Sequence, residues 1–153
     1  MRATDLQLGA AAPADVPVLC ALLGELFAQE AEFRPDPPAH ARALQRIIDD
    51  PALGSILVAR RGAAVVGMVN LLYTVSTALG ERVVLLEDMV VSTAARGSGI
   101  GSALLRAAIA HAAEAGCKRI TLLTDPDNTA AQRFYARHGF THSNMLVLRR
   151  RLE

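Results

Sequence analysis

The stretch that decides the fold is Leu85–Ser102, LLEDMVVSTAARGSGIGS. An apolar strand carrying two acids, Glu87 and Asp88, runs into a short loop. The loop ends in Arg96-Gly-Ser-Gly-Ile-Gly101, and a helix-like Ala/Leu run follows at once. Strand, glycine loop and helix start together make a site for an anionic phosphate group. Backbone N–H groups at a helix N-terminus point outward unpaired, and the helix dipole adds positive potential there. Gly97, Gly99 and Gly101 keep side chains off that backbone and permit φ > 0.

Upstream of this stretch the apolar period is that of strands. Ile56–Ala59 is a strand, Arg61-Gly62 a turn, Val65–Val75 a longer strand, Thr77–Gly80 a loop and Arg82–Val91 the next strand. Short links make these three an antiparallel meander, and Gly67 marks a bulge or a close backbone approach. Downstream, a helix from about Gly99 to Ala115 buries Leu104, Leu105, Ala108, Ile109 and Ala112, and Gly116 suits the position that ends it. Arg119–Thr124 is a compact strand, so strand, helix and strand form a right-handed parallel crossover.

At the N-terminus Leu6–Gly9 reads as a short strand. Pro13-Ala-Asp15 signals helix entry, with Asp15 as N-cap and Pro17 in the first turn. Leu19, Leu22, Leu23, Leu26 and Phe27 give the helix its stripe, and Arg34-Pro-Asp-Pro-Pro38 breaks it. A second helix, striped by Ala41, Leu44, Ile47 and Ile48, runs to about Asp50. After the loop Asp125–Asn128, a short helix capped by Asn128 or Thr129 runs to His138; Gly139 ends it and Phe140 packs behind. Met145–Arg150 is read as a last strand. The order β-α-α-β-β-β-α-β-α-β predicts an α+β fold, a mixed sheet with helices on both faces, in a single domain over residues 1–153.

Bulk composition narrows the function classes. At 52% hydrophobic, with four Phe, two Tyr and no Trp, the chain builds an aliphatic core. A net charge of +1 gives no sign of a nucleic-acid or membrane-surface partner, and Arg149-Arg150-Arg151 reads as a solvated run. Cys20 and Cys117 are expected as two buried, reduced thiols of a cytoplasmic protein, and no His/Cys cluster has metal spacing. Asp5 and Gln7 interrupt any signal peptide, and no apolar run approaches a membrane span.

The glycine loop fails two phosphate-binding patterns. A nucleotide P-loop needs Lys before its Ser/Thr, and Gly101 precedes Ser102. In a dinucleotide fingerprint counted from Gly97, Ser102 stands where the third glycine belongs, and three meander strands come first. What remains is R-x-x-G-x-G, met by Arg96, Gly99 and Gly101 at the end of a fourth strand. This resembles the acetyl-CoA signature of the GNAT superfamily of N-acetyltransferases. Leu86-Glu-Asp-Met-Val-Val91, the strand at Leu122–Thr124, Asn128 and Phe134-Tyr-Ala-Arg-His-Gly-Phe140 also fall where that family has corresponding elements. The resemblance extends over nearly the whole chain.

The resemblance implies a site. Backbone groups of Met89, Val90 and Val91 pair with the pantetheine arm of acetyl-CoA, where strand Arg82–Val91 splays from Arg119–Thr124. N–H groups of Arg96, Gly97, Ser98, Gly99, Ile100, Gly101 and Ser102 hold the pyrophosphate, and the Arg96 side chain adds charge or faces solvent. Asn128 contacts the coenzyme arm, caps a helix, or does both; Phe134 belongs to the core or walls the coenzyme site. Tyr135 matches the family's general acid near the sulfur, against the plainer role of a core tyrosine. Glu87 and Asp88 are the candidate bases. Adjacent strand residues face opposite sides, so one of them at most faces the reacting centre, and Glu87 is placed first.

The activity implied is transfer of an acetyl group from acetyl-CoA to a primary amine of a small molecule or peptide, by direct attack in a ternary complex without a metal. The alternative is a non-catalytic acyl-CoA-binding or regulatory module on the same fold. Only 13 residues follow Phe140, room for one good strand where family members often finish with two. A homodimer in which a second chain replaces the missing strand is therefore expected.

Overall fold

The computed structural model describes residues 5–30 and 34–153. The chain forms two compact units, Met1–Leu123 and Thr124–Glu153.

In the first unit the strands are β1 (Leu6–Ala10), β2 (Gly54–Arg61), β3 (Ala64–Ser76), β4 (Glu81–Val91) and β5 (Ile120–Leu122), in the sheet order β1-β2-β3-β4-β5. The first four pair antiparallel and β5 runs parallel to β4. Helices α1 (Val16–Ala28) and α2 (Pro37–Asp49) follow β1, and α3 (Ile100–Glu114) makes the crossover from β4 to β5. Leu19, Leu22 and Leu23 of α1 and Leu44 and Ile47 of α2 bury against Ile56, Val58, Met68 and Val90. One residue before Met68, a Cβ on Gly67 would meet Leu104 Cδ2 of α3 at 3.5 Å and Ile100 Cγ2 at 3.6 Å. Neighbouring strand residues face opposite sides, so α1 and α2 cover one face and α3 the other. Gly67 is the close approach expected of it, with Val90 O also 3.3 Å from that Cβ position.

Helix boundaries follow local chemistry. Asp36 caps α2, accepting from Ala39 N–H at 3.3 Å, and prolines 37 and 38, which from the sequence serve only to end the helix before, open α2. Gly116, at φ +81°, closes α3 with Cys117 N–H on Ala112 O (2.9 Å) and Gly116 N–H on Ala113 O (3.1 Å), a left-handed stop.

Several expectations are corrected. Asp15 stands at the N-cap position of α1, but its carboxylate does not cap that helix. It accepts from Ala12 N–H at 2.7 Å and from Arg60 at 2.5 and 3.0 Å, because a guanidinium fork outcompetes one helix amide. Gly101 lies inside the first turn of α3 and needs no positive φ; Gly97 and Gly99 have it. Cys20 and Cys117 are half-buried rather than buried, and burial pushes both thiols up. Among the described residues no helix is long and apolar enough to cross a membrane.

The second unit carries α4 (Thr129–Arg137). Asn128 caps it through Oδ1, which accepts from Ala131 N–H at 3.1 Å. Phe140 N–H on Tyr135 O and Gly139 N–H on Ala136 O close it, both at 3.1 Å. The strand expected over Met145–Arg150 does not form: residues 141–153 hold no helix or strand. A strand survives only where a neighbour takes its backbone groups. Here Met145, Leu146 and Leu148 stand 87%, 89% and 92% exposed.

Candidate active site

The site elements of the first unit begin at the end of the β4–β5 ladder. Its registered pairs are Val84 with Ile120, Leu85 with Thr121 and Leu86 with Leu122. From Glu87 onward β4 has no strand partner on that side among the described residues, while β3 continues on the other to Gly67–Val91. The open edge includes Met89 and Val91, both half-buried, and Val90, which is buried in the core. Exposed amide and carbonyl groups along such an edge can take an extended, amide-bearing ligand as an added strand.

The open edge carries a bulge. Met68 registers with Val90 and Asn70 with Glu87, so Asp88 and Met89 together oppose Val69. Asp88 adopts φ +54°, the one non-glycine residue with positive φ among those described. Asp tolerates this left-handed region better than most residues, so the extra residue sits where its strain is smallest. The bulge turns Asp88 onto Asn70, whose Nδ2 donates to Asp88 Oδ2 at 3.3 Å. Burial pushes the Asp88 carboxyl above its ordinary value; the Asn70 hydrogen bond opposes that, and so does the charge of His40 on α2. Glu87, by contrast, is exposed.

After Val91 the chain makes a single turn at Thr93–Ala95 and enters the glycine loop. Thr93 Oγ1 donates to Glu25 Oε1 of α1 at 3.0 Å. Arg96 Nε donates to Val91 O at 3.2 Å, so this side chain folds back on the strand end and closes the loop. Ser98 Oγ donates to Ala95 O at 2.6 Å and accepts from Arg61 Nη2 at 3.2 Å. Gly97 and Gly99 have φ +83° and +78°, and nothing lies within 4 Å of where their Cβ atoms would be. Gly99 is the N-cap of α3 and supplies no side-chain cap; the first intrahelical bond runs from Ala103 N–H to Gly99 O at 3.1 Å. The N–H groups of Ile100 and Gly101 lie ahead of that bond, at the positive end of a 15-residue helix dipole. Such a terminus, open to solvent and free of side chains, suits a pyrophosphate.

In the second unit Tyr135 is half-buried on α4. Its ring meets Phe134 edge-on at 5.2 Å and Phe140 at 5.7 Å. Burial pushes its hydroxyl up to about 12. Phe134 also packs on His138 at 5.2 Å and lies under the Arg137 guanidinium at 5.9 Å.

Three residues of the site region were missed from sequence. From the sequence, Arg61 is only a turn residue and Asn70 only part of a strand, and nothing marks His40. Asn70 did carry a signal: it is a lone amide inside the apolar run Val65–Val75. Among the described residues no cluster of His, Cys, Asp and Glu has a geometry that holds a metal.

Residues 21–140 match the profile of the Acetyltransferase (GNAT) family. The uncharacterized N-acetyltransferase YhfO of Bacillus subtilis (strain 168) is 34% identical over 92 residues, 60% of this chain and 62% of the relative. The chain spans less than two thirds of the length of the curated relatives it matches. An integron cassette protein from the mobile metagenome of Cole Harbour Salt Marsh has a crystal structure similar to this one, with 30% identity and TM-score 0.83 over 96% of this chain and 91% of that one. A transcriptional regulator from Bacillus halodurans C-125 is 29% identical, with TM-score 0.80 over 96% of this chain and 99% of that one.

Proposed function

We propose that this chain, which belongs to the GNAT acetyltransferase family, moves the acetyl group of acetyl-CoA to a primary amine of a small molecule or peptide. The observation that carries the reading is the β4 edge, left without a strand partner beyond Leu86 and leading straight into a glycine loop and helix start. Pantetheine lies along Met89–Val91, and the N–H groups of the loop and first turn, from Arg96 to Ser102, take the pyrophosphate. Arg96 contributes by shaping the loop through Val91 O. In the second unit, Asn128 and Phe134 are the residues that the family resemblance assigns to the coenzyme. The amine attacks the thioester directly in a ternary complex. A backbone N–H near Met89 stabilises the tetrahedral oxyanion.

Of the two acids, Asp88 takes the amine proton, directly or through a water. A general base works best when its carboxyl titrates close to the working pH, and burial moves Asp88 in that direction. Glu87, exposed beside it, is the lesser candidate. Tyr135 serves the departing thiolate; with its hydroxyl at about 12 it stays protonated throughout the working range. The whole chain acts as one catalytic domain in the cytoplasm. Two copies associate through the exposed apolar run Met145–Leu148.

The test is release of free coenzyme A thiol across a panel of polyamines, aminoglycosides, amino acids and peptide N-termini. Turnover with at least one amine, saturable in both substrates, is expected. A second reading, an acyl-CoA-binding regulatory module, is favoured by the likeness to the Bacillus halodurans regulator. Coenzyme binding with no turnover on any amine would select it.

A further inference from the structure

Asn70 is out of place in the core. It is 4% exposed in the middle of β3, surrounded by apolar neighbours in sequence. Its Nδ2 donates to Asp88, while its Oδ1 is buried with no hydrogen-bond partner. An orphaned buried acceptor is destabilising, and an apolar residue of the same shape would avoid that cost. The orientation of the amide is set by its neighbour: an ionised carboxylate only accepts, so the NH₂ end must face it.

We propose that Asn70 is the positioning residue for Asp88, its carboxamide holding the carboxyl group in place in both protonation states. While Asp88 is ionised, Asn70 Nδ2–H donates to it. Once Asp88 has taken a proton, its O–H becomes a donor, and a half-turn of the amide offers Oδ1, the acceptor that otherwise has no partner. A leucine or alanine could serve neither state, and a second carboxylate would repel the first. The bulge at Asp88 and Met89 brings the two side chains together, since Asn70 registers in the ladder with Glu87. The inference rests on the reading of Asp88 as base, and it names the residue that sets the pH at which that base becomes competent.

Titratable groups on the helices and strands around β4 do not supply this. His40 acts on it from α2, but its Nε2 accepts from Asp36 N–H at 2.9 Å and its ring packs on Phe27 at 4.9 Å. From α1, Glu25 is taken by Thr93. On α3, His111 Nε2 is bonded to Tyr73 Oη at 3.1 Å. The other acids on β4 itself, Glu81 at the start of the strand and Glu87, are both exposed.

The experiment follows the Asp88 carboxyl by carbon-13 NMR titration of the full chain, wild type against Asn70→Leu. A hydrogen bond to a charged group contributes about 1.5–3 kcal/mol, and 1.36 kcal/mol is one pH unit. The bond to ionised Asp88 is charge-assisted and about twice as strong as the neutral bond to the protonated acid, so losing both disfavours the ionised form; the midpoint of Asp88 should rise by about one unit, and the acid limb of kcat/KM should move with it. An unmoved midpoint in folded Asn70→Leu overturns the proposal. If the midpoint moves and the rate profile does not follow, Asn70 stands as the partner of Asp88, and the reading of Asp88 as base fails instead. Asn70→Asp is isosteric and covers the case in which the leucine variant does not fold. Its two carboxyls, about 3.3 Å apart, should release their protons in two steps more than about one unit apart. Independent titration of the pair also overturns the proposal.

Discussion

Replacing Tyr135 by Phe separates chemistry from binding. The ring is retained, so its edge-on packing with Phe134 at 5.2 Å and Phe140 at 5.7 Å persists. Only the hydroxyl goes, and the stability change should stay within about 1 kcal/mol. The loss of rate can be worked from the hydroxyl at about 12. Full transfer of its proton to a thiolate of ordinary thiol basicity, about 8.5, is uphill by about 3.5 pH units. The hydroxyl therefore acts by hydrogen bonding to the sulfur as charge develops, and solvent completes the transfer. A hydrogen bond to a charged group contributes about 1.5–3 kcal/mol, which corresponds to a fall in kcat of about ten- to 150-fold. That is less than the loss a fully matched general acid would show. The assay is thiol release at saturating amine, beside a direct coenzyme titration. Coenzyme affinity should change by less than about threefold, since this hydrogen bond forms only in the transition state. A kcat unchanged in Tyr135→Phe would refute the role. So would a wild-type alkaline limb near pH 9 that disappears in the variant, because the hydroxyl would then titrate far below where burial puts it.

Other perturbations test the scaffold. Gly99→Ala places a Cβ in open space at φ +78°, so it carries conformational strain alone, about 1–2 kcal/mol; Gly99→Asn should recover part of that loss in urea denaturation, and equal stability of glycine and alanine forms would contradict the left-handed N-cap. Asp15 is held below its ordinary carboxylate value by its hydrogen bonds from Arg60, so its contribution is present above the unfolded value of about 3.9 and is lost as pH falls through the folded one. The pair is partly buried, at 29% and 11% side-chain exposure, between the exposed and buried limits, so Asp15→Asn should cost about 2 kcal/mol at pH 7. The difference from wild type should narrow as pH falls below the unfolded value; a gap that stays the same size throughout acid titration would rule out the ion pair as its source. Sedimentation equilibrium at micromolar concentration should give a dimer for the wild type and a monomer for the double variant Leu146→Asp/Leu148→Asp, and a wild-type monomer would remove the homodimer.

Punctuation residues made most of the fold legible. Pro and Gly mark backbone positions where few alternatives exist, so α2 opens at Asp36-Pro37-Pro38 and α3 closes at Gly116. Asn128 was readable for the same local reason, since a side-chain acceptor before a helical run has one obvious use. What depends on a distant neighbour was not legible. Asp15 looks like a cap until Arg60, 45 residues away, takes its carboxylate. Met145–Arg150 has the composition of a strand, and composition does not supply the neighbouring chain that a strand requires. The half-burial of Cys20 and Cys117 belongs to the same class, because it depends on packing from other segments.

The candidate base shows the limit most sharply. Strict alternation along Leu85–Val91 puts Glu87 with Met89, and Asp88 with Leu86 and Val90. The register shows otherwise: Leu86 stands opposite Leu71, while Val90 stands opposite Met68. Leu71 and Met68 lie three apart on β3 and so face opposite sides of the sheet. Leu86 and Val90 therefore also face opposite sides, although four residues separate them. One extra residue at Asp88 and Met89 reverses the count for everything that follows. No pattern of hydrophobicity reports this, because both faces of the sheet are covered and both parities are apolar. The only local trace is chemical: an Asp, tolerant of positive φ, in the middle of a buried strand, with an Asn as the single amide on the strand beside it. Taken together, two polar residues on adjacent buried strands mark the place where alternation should not be trusted. Here that place is also where the proposed chemistry sits.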